Sequence, residues 1–222
     1  MKTRTIVFAL FTVLVTFIKA STAQDASLRT ENATMHPCPG GTGSSTVNTS
    51  SPTSLDSLLR MSELIVVGTV VDVLPAFTAN PDHLMSIETP SVVAVGELLY
   101  GILPSGIPTI LLTQMGGKVG PCAKVVPDDP FVQKDERYVF FLMADDRPKV
   151  PNTSGFPRYV AVGLWSGKAK VVNGRIQFLP SASPGLHEYD DMDATAFIAA
   201  VEDRIRIRCQ NDISFPCLLP RR

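Results

Sequence analysis

The side chains able to do chemistry are few and widely spaced. The 222-residue chain has three histidines, His36, His83 and His187, and four cysteines, Cys38, Cys122, Cys209 and Cys217. A hydrolytic site needs a nucleophile, a base and a group that orients the base. No Gly-x-Ser-x-Gly elbow occurs; Gly163-Leu164-Trp165-Ser166-Gly167 comes nearest but has one residue too many before the serine, and reads as a strand end entering a turn. A hydrolase or protease-inhibitor-like site would have to be assembled from scattered residues such as His83, Asp128 and His187. His36-x-Cys38 lacks the second close pair that a structural zinc site uses, so no metal is expected. Gly116-Gly117-Lys118-Val119-Gly120 precedes Pro121-Cys122 instead of a helix, which removes the phosphate-loop reading, and no cofactor is expected. The pairs Asp128-Asp129, Asp145-Asp146 and Asp190-Asp191 read as turn formers and helix caps.

Binding chemistry has more support. Trp165 with Tyr138, Phe156 and Tyr159 could form an aromatic platform for a ligand, although strand alternation places Tyr159 and Trp165 with Ala161 and Gly163, which favours core packing. Two long polar connections, residues 75–85 containing His83 and residues 116–133 containing Lys118, are candidate binding loops.

The compartment follows from the first residues. Lys2 and Arg4 precede a thirteen-residue apolar run, Ile6 to Ile18, and Ser21-Thr22-Ala23 then supplies small residues at a cleavage position. These are the three parts of a secretory signal, with cleavage after Ala23. Thirteen residues at helical rise cover only about 20 Å of a hydrocarbon core roughly 30 Å thick, so a membrane anchor is disfavoured and no membrane association is expected after cleavage. Loss of the leader moves the formal charge from −1 to −4, because it carries Lys2, Arg4 and Lys19 and no acid. A weakly acidic chain has no electrostatic reason to seek nucleic acid, which turns the search for partners toward extracellular proteins and glycans.

In an oxidising compartment four cysteines favour disulfides. Cys209 and Cys217 enclose seven residues, so a local bridge is favoured there, leaving Cys38 with Cys122; the longer bridge would contribute about 4 kcal/mol in the chain-entropy account. Asn32, Asn48 and Asn152 match the glycosylation acceptor pattern in polar, loop-like stretches.

The elements that must position these residues begin after a Ser/Thr/Gly/Pro-rich segment, residues 24–52, which cannot bury enough apolar surface to offset its ordering entropy. Thr53 and Asp56 resemble a capping box opening a short helix to about Met61. Residues 64–74 are apolar on both faces and read as a central strand with a bend at Gly68. Further strands are expected at 86–100, kinked at Pro90 and Gly96, and at 109–114, 137–143 and 159–164. Asn173-Gly174 between two alternating runs is the type I′ hairpin signature. A final amphipathic helix spans about residues 191–208, with acids at its start and arginines at its end. The expected fold is mainly β: a small antiparallel OB-like barrel with an N-terminal and a C-terminal helix, a β-sandwich being the alternative. The expected domain is residues 53–222, a single unit and a monomer.

Three strand motifs carry a resemblance. Ser62-Glu63-Leu64-Ile65-Val66-Val67-Gly68-Thr69-Val70, Val95-Gly96-Glu97-Leu98-Leu99-Tyr100-Gly101 and Asp135-Glu136-Arg137-Tyr138-Val139-Phe140-Phe141-Leu142 resemble the strands "ADLVVVGTV", "V.EVLKG" and "GERYLLFL" of a group of exported bacterial proteins of unassigned function. The resemblance spans about residues 53–180 and implies an OB-like barrel and export, with no activity attached. The architecture is similar only in shape to netrin-type domains of metalloproteinase inhibitors, because the N-terminal zinc-chelating cysteine is missing: Cys38 lies fourteen residues beyond Gln24. The functional expectation is a non-enzymatic module that binds an extracellular protein, peptide or glycan through the loops near His83 and Lys118.

Overall fold

The computed structural model describes residues 51–78, 87–104, 107–120, 122–127, 129–146, 155–212 and Cys217. These belong to one compact unit of the chain, Met35–Arg222. The signal segment, His36, Cys38, His83, Asp128 and the acceptors Asn32, Asn48 and Asn152 lie outside the described residues.

The first helix, α1 (Leu55–Met61), starts one residue later than the sequence suggests. Ser54 is the cap, and the box partner is Ser57: the Ser57 amide donates to Ser54 Oγ (3.3 Å) and the Ser54 amide to Ser57 Oγ (2.9 Å). A serine hydroxyl fits both roles of the box, so Thr53 and Asp56 are not needed for it.

Strand β1 (Leu64–Val73) pairs on both edges, with β3 (Ile87–Tyr100) and with β7 (Arg137–Ala144). Its alternate residues feed two cores. Leu64, Val66 and Val70 join Val93, Ile110, Leu112, Tyr138, Phe140 and Leu142 in the barrel bore. Ile65 and Val67 join Val139, Phe141 and Ala169 on the outer face, under the helices. A strand buried on both faces has to be apolar throughout. The expected bend is present at Gly68, where the β1–β3 register shifts and Gly96 is the unmatched residue. A Cβ at Gly68 would meet Val93 Cγ1 at 2.5 Å, so only glycine lets the two strands cross there.

After the short β2 (Phe77–Thr78), β3 continues into β4 (Thr109–Met115), and β8 (Arg158–Ala161) closes the sheet between β4 and β7. The result is a closed five-stranded barrel in the order β1-β3-β4-β8-β7, which is the OB-type arrangement and not a sandwich. One pair departs from the antiparallel expectation: β4 and β8 run parallel, with Leu111 beside Arg158 and Leu112 beside Tyr159. The expected strand at residues 159–164 stops at Ala161, because Gly163 and Leu164 both take positive φ (60° and 57°) and turn the chain.

The Asn173-Gly174 hairpin joins β9 (Lys168–Val172) to β10 (Arg175–Gln177), with both turn residues at positive φ as a type I′ turn demands. The free edge of β10 is covered by the chain at residues 191–193: the Ile176 amide donates to Met192 O and the Asp191 amide to Ile176 O, both at 2.9 Å. The short α2 (Pro184–His187) precedes α3 (Ala194–Asn211). Helix α3 begins later than expected because Asp191 sits at φ 62° and Asp193 is the cap, accepting from the Thr195 and Ala196 amides at 2.9 and 3.1 Å. It buries Phe197, Val201 and Ile205, and Phe197 meets Phe178 and Tyr189 edge-on.

Candidate functional site at one end of the barrel

The ends of β1 and β4 and the starts of β3 and β7 share one end of the barrel, since β1 pairs antiparallel with β3 and β7, and β3 antiparallel with β4. The connection after β1 and the stretch from Gly116 to Glu136 therefore both leave the barrel at this end.

The stretch opens with a hairpin absent from the sequence reading, β5 (Gly117–Val119) and β6 (Cys122–Lys124). It is locked to the barrel at its base. Thr89 Oγ1 donates to Gly116 O at 2.9 Å, and a Cβ on Gly117 (φ 128°) would meet both Ala76 Cβ and Thr89 Oγ1 at 2.5 Å. Glycine is required at this position by backbone and by space. The lock leaves Lys118, the middle residue of β5, exposed on a fixed support.

Beyond β6 the chain returns across the barrel without regular structure, and side chains hold it. The Gln114 carboxamide takes both sides of the main chain: Nε2 donates to Pro130 O (3.2 Å), and Oε1 accepts from the Val132 amide (2.9 Å). On the far side Lys168 Nζ, 1% exposed, forms a buried ion pair with Asp129 and also donates to Pro130 O (3.2 Å). Burial pushes the Lys168 ammonium below its ordinary value, and the attraction of Asp129 opposes that. Val132 drops into the bore cluster.

A second polar group follows. Glu136 accepts from Tyr138 Oη (2.5 Å) and the Gln133 amide (2.8 Å) and pairs with Lys170. Burial alone would raise this carboxyl, but the bonds from Lys170, Tyr138 and Gln133 outweigh it and hold it below the usual range. The Tyr138 hydroxyl is pushed well above its ordinary value by burial and by Glu136.

The residues singled out from sequence separate. The aromatic platform does not form: Tyr138 and Tyr159 belong to the bore, with Tyr138 stacked on Phe140 at 5.0 Å, whereas Trp165 packs half-buried on the helix-covered core. The turn at residues 162–167 breaks the alternation that would have kept Trp165 beside Tyr159. His187 is a clamp: its Nδ1 lies 2.7 Å from Asp190 Oδ2 and its Nε2 3.1 Å from Ala182 O, so both ring nitrogens are engaged.

The expected Cys209–Cys217 bridge is not formed in the structure, where the two sulfurs are not at disulfide distance. Cys209 lies in the last turns of α3, and the Cys217 sulfur approaches its carbonyl oxygen at 3.5 Å. Burial and the neighbouring Cys217 push the Cys209 thiol up to about 11. Cys122 lies on β6, and its expected partner, Cys38, is outside the described residues.

Among the described residues no three His, Cys, Asp or Glu side chains gather as metal ligands. A groove of about 630 Å³ between α1 and α3 is lined by Arg60, Arg204, Ile207 and Arg208, but Arg204 already serves Asp56 (2.9 Å) and Tyr189 Oη (2.8 Å).

Sequence reasoning missed Gln114 and Lys168, and it read Asp129 as a turn former or cap, whereas its side chain is the buried partner of Lys168. The signal was present for Lys168, because Ala169 and Val171 alternate with Lys168 and Lys170, and a strand with its apolar face toward a core must turn its lysines the other way. No family model matches the chain, and no curated protein matches it.

Proposed function

We propose that the protein is an exported interaction module that binds an extracellular protein, peptide or glycan at the barrel end carrying Lys118. The observation that carries this reading is the locked β5–β6 hairpin, which presents a lone exposed lysine on a base fixed by Gly116, Gly117 and Thr89. A charge on a rigid support loses little freedom on binding, which is what a recognition residue requires. The connection after β1, with His83, leaves the barrel at the same end and is the second expected contact. Export rests on the leader at residues 1–23 and on the strand motifs resembling exported proteins. In the oxidising compartment Cys38 bridges Cys122, which ties the polar N-terminal segment to β6 and stiffens the same hairpin; Asn32, Asn48 and Asn152 carry glycans where the host attaches them. The module acts as a monomer, without cofactor or metal.

The exported chain immobilised on beads and exposed to its own extracellular fluid tests the reading. Lys118→Glu is expected to lose the captured species, and Arg206→Glu, on the exposed side of α3, to retain it. Equal capture by the two variants would remove Lys118 from the interface.

A further inference from the structure

We propose that the cleft between Gln114 on β4 and Lys168 on β9 is a peptide-binding site for an extended acidic segment of a partner protein, held closed in this chain by its own residues Asp129 to Val132. The inference rests on the reading of this barrel end as the binding end, and it names the class of ligand.

Three kinds of recognition converge within four residues. Gln114 uses one carboxamide to meet the carbonyl of Pro130 and the amide of Val132, two positions further on. A side-chain amide that takes an acceptor and a donor from the same strand reads extended main chain, whatever the side chains. Lys168 then reads charge, since its ammonium is inside the protein and meets the Asp129 carboxylate. The bore reads shape, taking Val132 among Leu112, Tyr138 and Phe140. Pro130 faces solvent between these anchors. The segment belongs to no helix or strand, so what holds it is this set of side-chain contacts and not a sheet ladder.

Stability alone is a poor reason for the arrangement. A buried ion pair contributes little net stability compared with apolar residues of the same volume, and its best-attested use is to fix one partner in one register. The Lys168–Asp129 pair selects an acid next to Pro130, and the Val132 contact selects a small β-branched residue three positions after the acid. The natural ligand is therefore an extended stretch with an aspartate followed by proline and, two residues later, valine or a residue of similar shape. The chain's own copy competes from a short tether, equivalent to a local concentration on the order of millimolar, so a free peptide enters only when that copy is weakened or the ligand is abundant.

The test uses a fluorescent heptapeptide with the sequence of residues 127–133 and the full exported chain, followed by fluorescence anisotropy. The variant Asp129→Asn with Val132→Ala, which loosens the resident segment, is expected to bind the peptide at least tenfold more tightly than the wild-type chain. Adding Lys168→Met to that variant, or replacing the peptide residue equivalent to Asp129 by asparagine, is expected to weaken binding at least tenfold. A folded variant that ignores the peptide, or binds it equally with and without the lysine or the acid, overturns the proposal. If the loosened variant does not fold, the wild-type chain decides: peptide at about 1 mM, comparable to the tethered copy, is expected to speed hydrogen exchange at the Val132 amide at least tenfold, and an unchanged rate overturns the proposal. Capture through Lys118 does not depend on displacing this segment, so a negative peptide result with intact Lys118-dependent capture separates the two claims.

Discussion

The Lys168 ammonium and the Asp129 carboxylate, 39 residues apart in sequence, form an ion pair with both side chains at most 2% exposed. It joins the β6–β7 connection to the start of β9 in the β9–β10 hairpin. Neither group can be removed alone without leaving a charge that water cannot reach.

Asp129→Ala and Lys168→Ala are each expected to cost about 3–5 kcal/mol in urea unfolding, because each leaves the other charge buried and unpaired. Replacing both, with Asp129→Leu and Lys168→Met, should recover most of that loss. Additive losses in the double variant would mean that the two groups are not coupled.

Gly117→Ala should destabilise by roughly 1–3 kcal/mol, since alanine must hold φ near 128° and its Cβ lands on Ala76 and Thr89. Gly120→Ala is the control: it has positive φ but nothing within 4 Å, and should cost only about 1 kcal/mol. Thermal unfolding of both variants checks the ranking, and an equal effect would remove the claim that the hairpin base is locked.

Two groups set opposite limbs of the pH profile. Hydrogen bonding to Asp190 raises the His187 imidazole, so its stabilisation is present below the ordinary histidine value and is lost as pH rises through the raised one. The melting temperature should fall between about pH 6 and pH 8 for this reason, only modestly because the ring is one-third exposed, and His187→Gln should flatten that limb. Burial opposes ionisation of Glu136, but its donors win and lower its value, so its stabilisation is present at neutral pH and is lost as pH falls through the depressed value. Glu136→Gln should flatten the acid limb; a parallel acid limb in that variant would assign the loss to other carboxylates.

If the proposed export and the proposed Cys38–Cys122 bridge hold, thiol titration of the denatured chain should count two, from the unbridged Cys209 and Cys217. Four thiols would abolish the proposed bridge. None would mean that the pair at the end of α3 closes after export.

The barrel was legible because its strands obey strong local rules. Residues 64–74 had to lie between two cores, Gly68 had to mark a close crossing, and Asn173-Gly174 admits essentially one turn. The parallel closure of β4 by β8 was hidden, since two pairs of residues fix it and pairing direction leaves no periodic trace. The β5–β6 hairpin was hidden for a similar reason: three-residue strands are too short to show alternation, and their glycines read as loop. Trp165 was misplaced with Tyr159 by extending alternation past Ala161 into a turn with two positive φ angles. At the candidate site Lys118 was legible as part of a long polar connection, whereas Gln114 and Asp129 act on backbone and charge far away in sequence, and nothing local marks them.

The measurement closest to the proposed function is site-specific photo-crosslinking of the chain in the extracellular fluid into which it is proposed to be exported, with the reactive side chain placed at Lys118 in one sample and at Arg206 in another. The account predicts a discrete adduct from position 118 and none from 206. An adduct from 206 alone, or none from 118 on a folded chain, would contradict it.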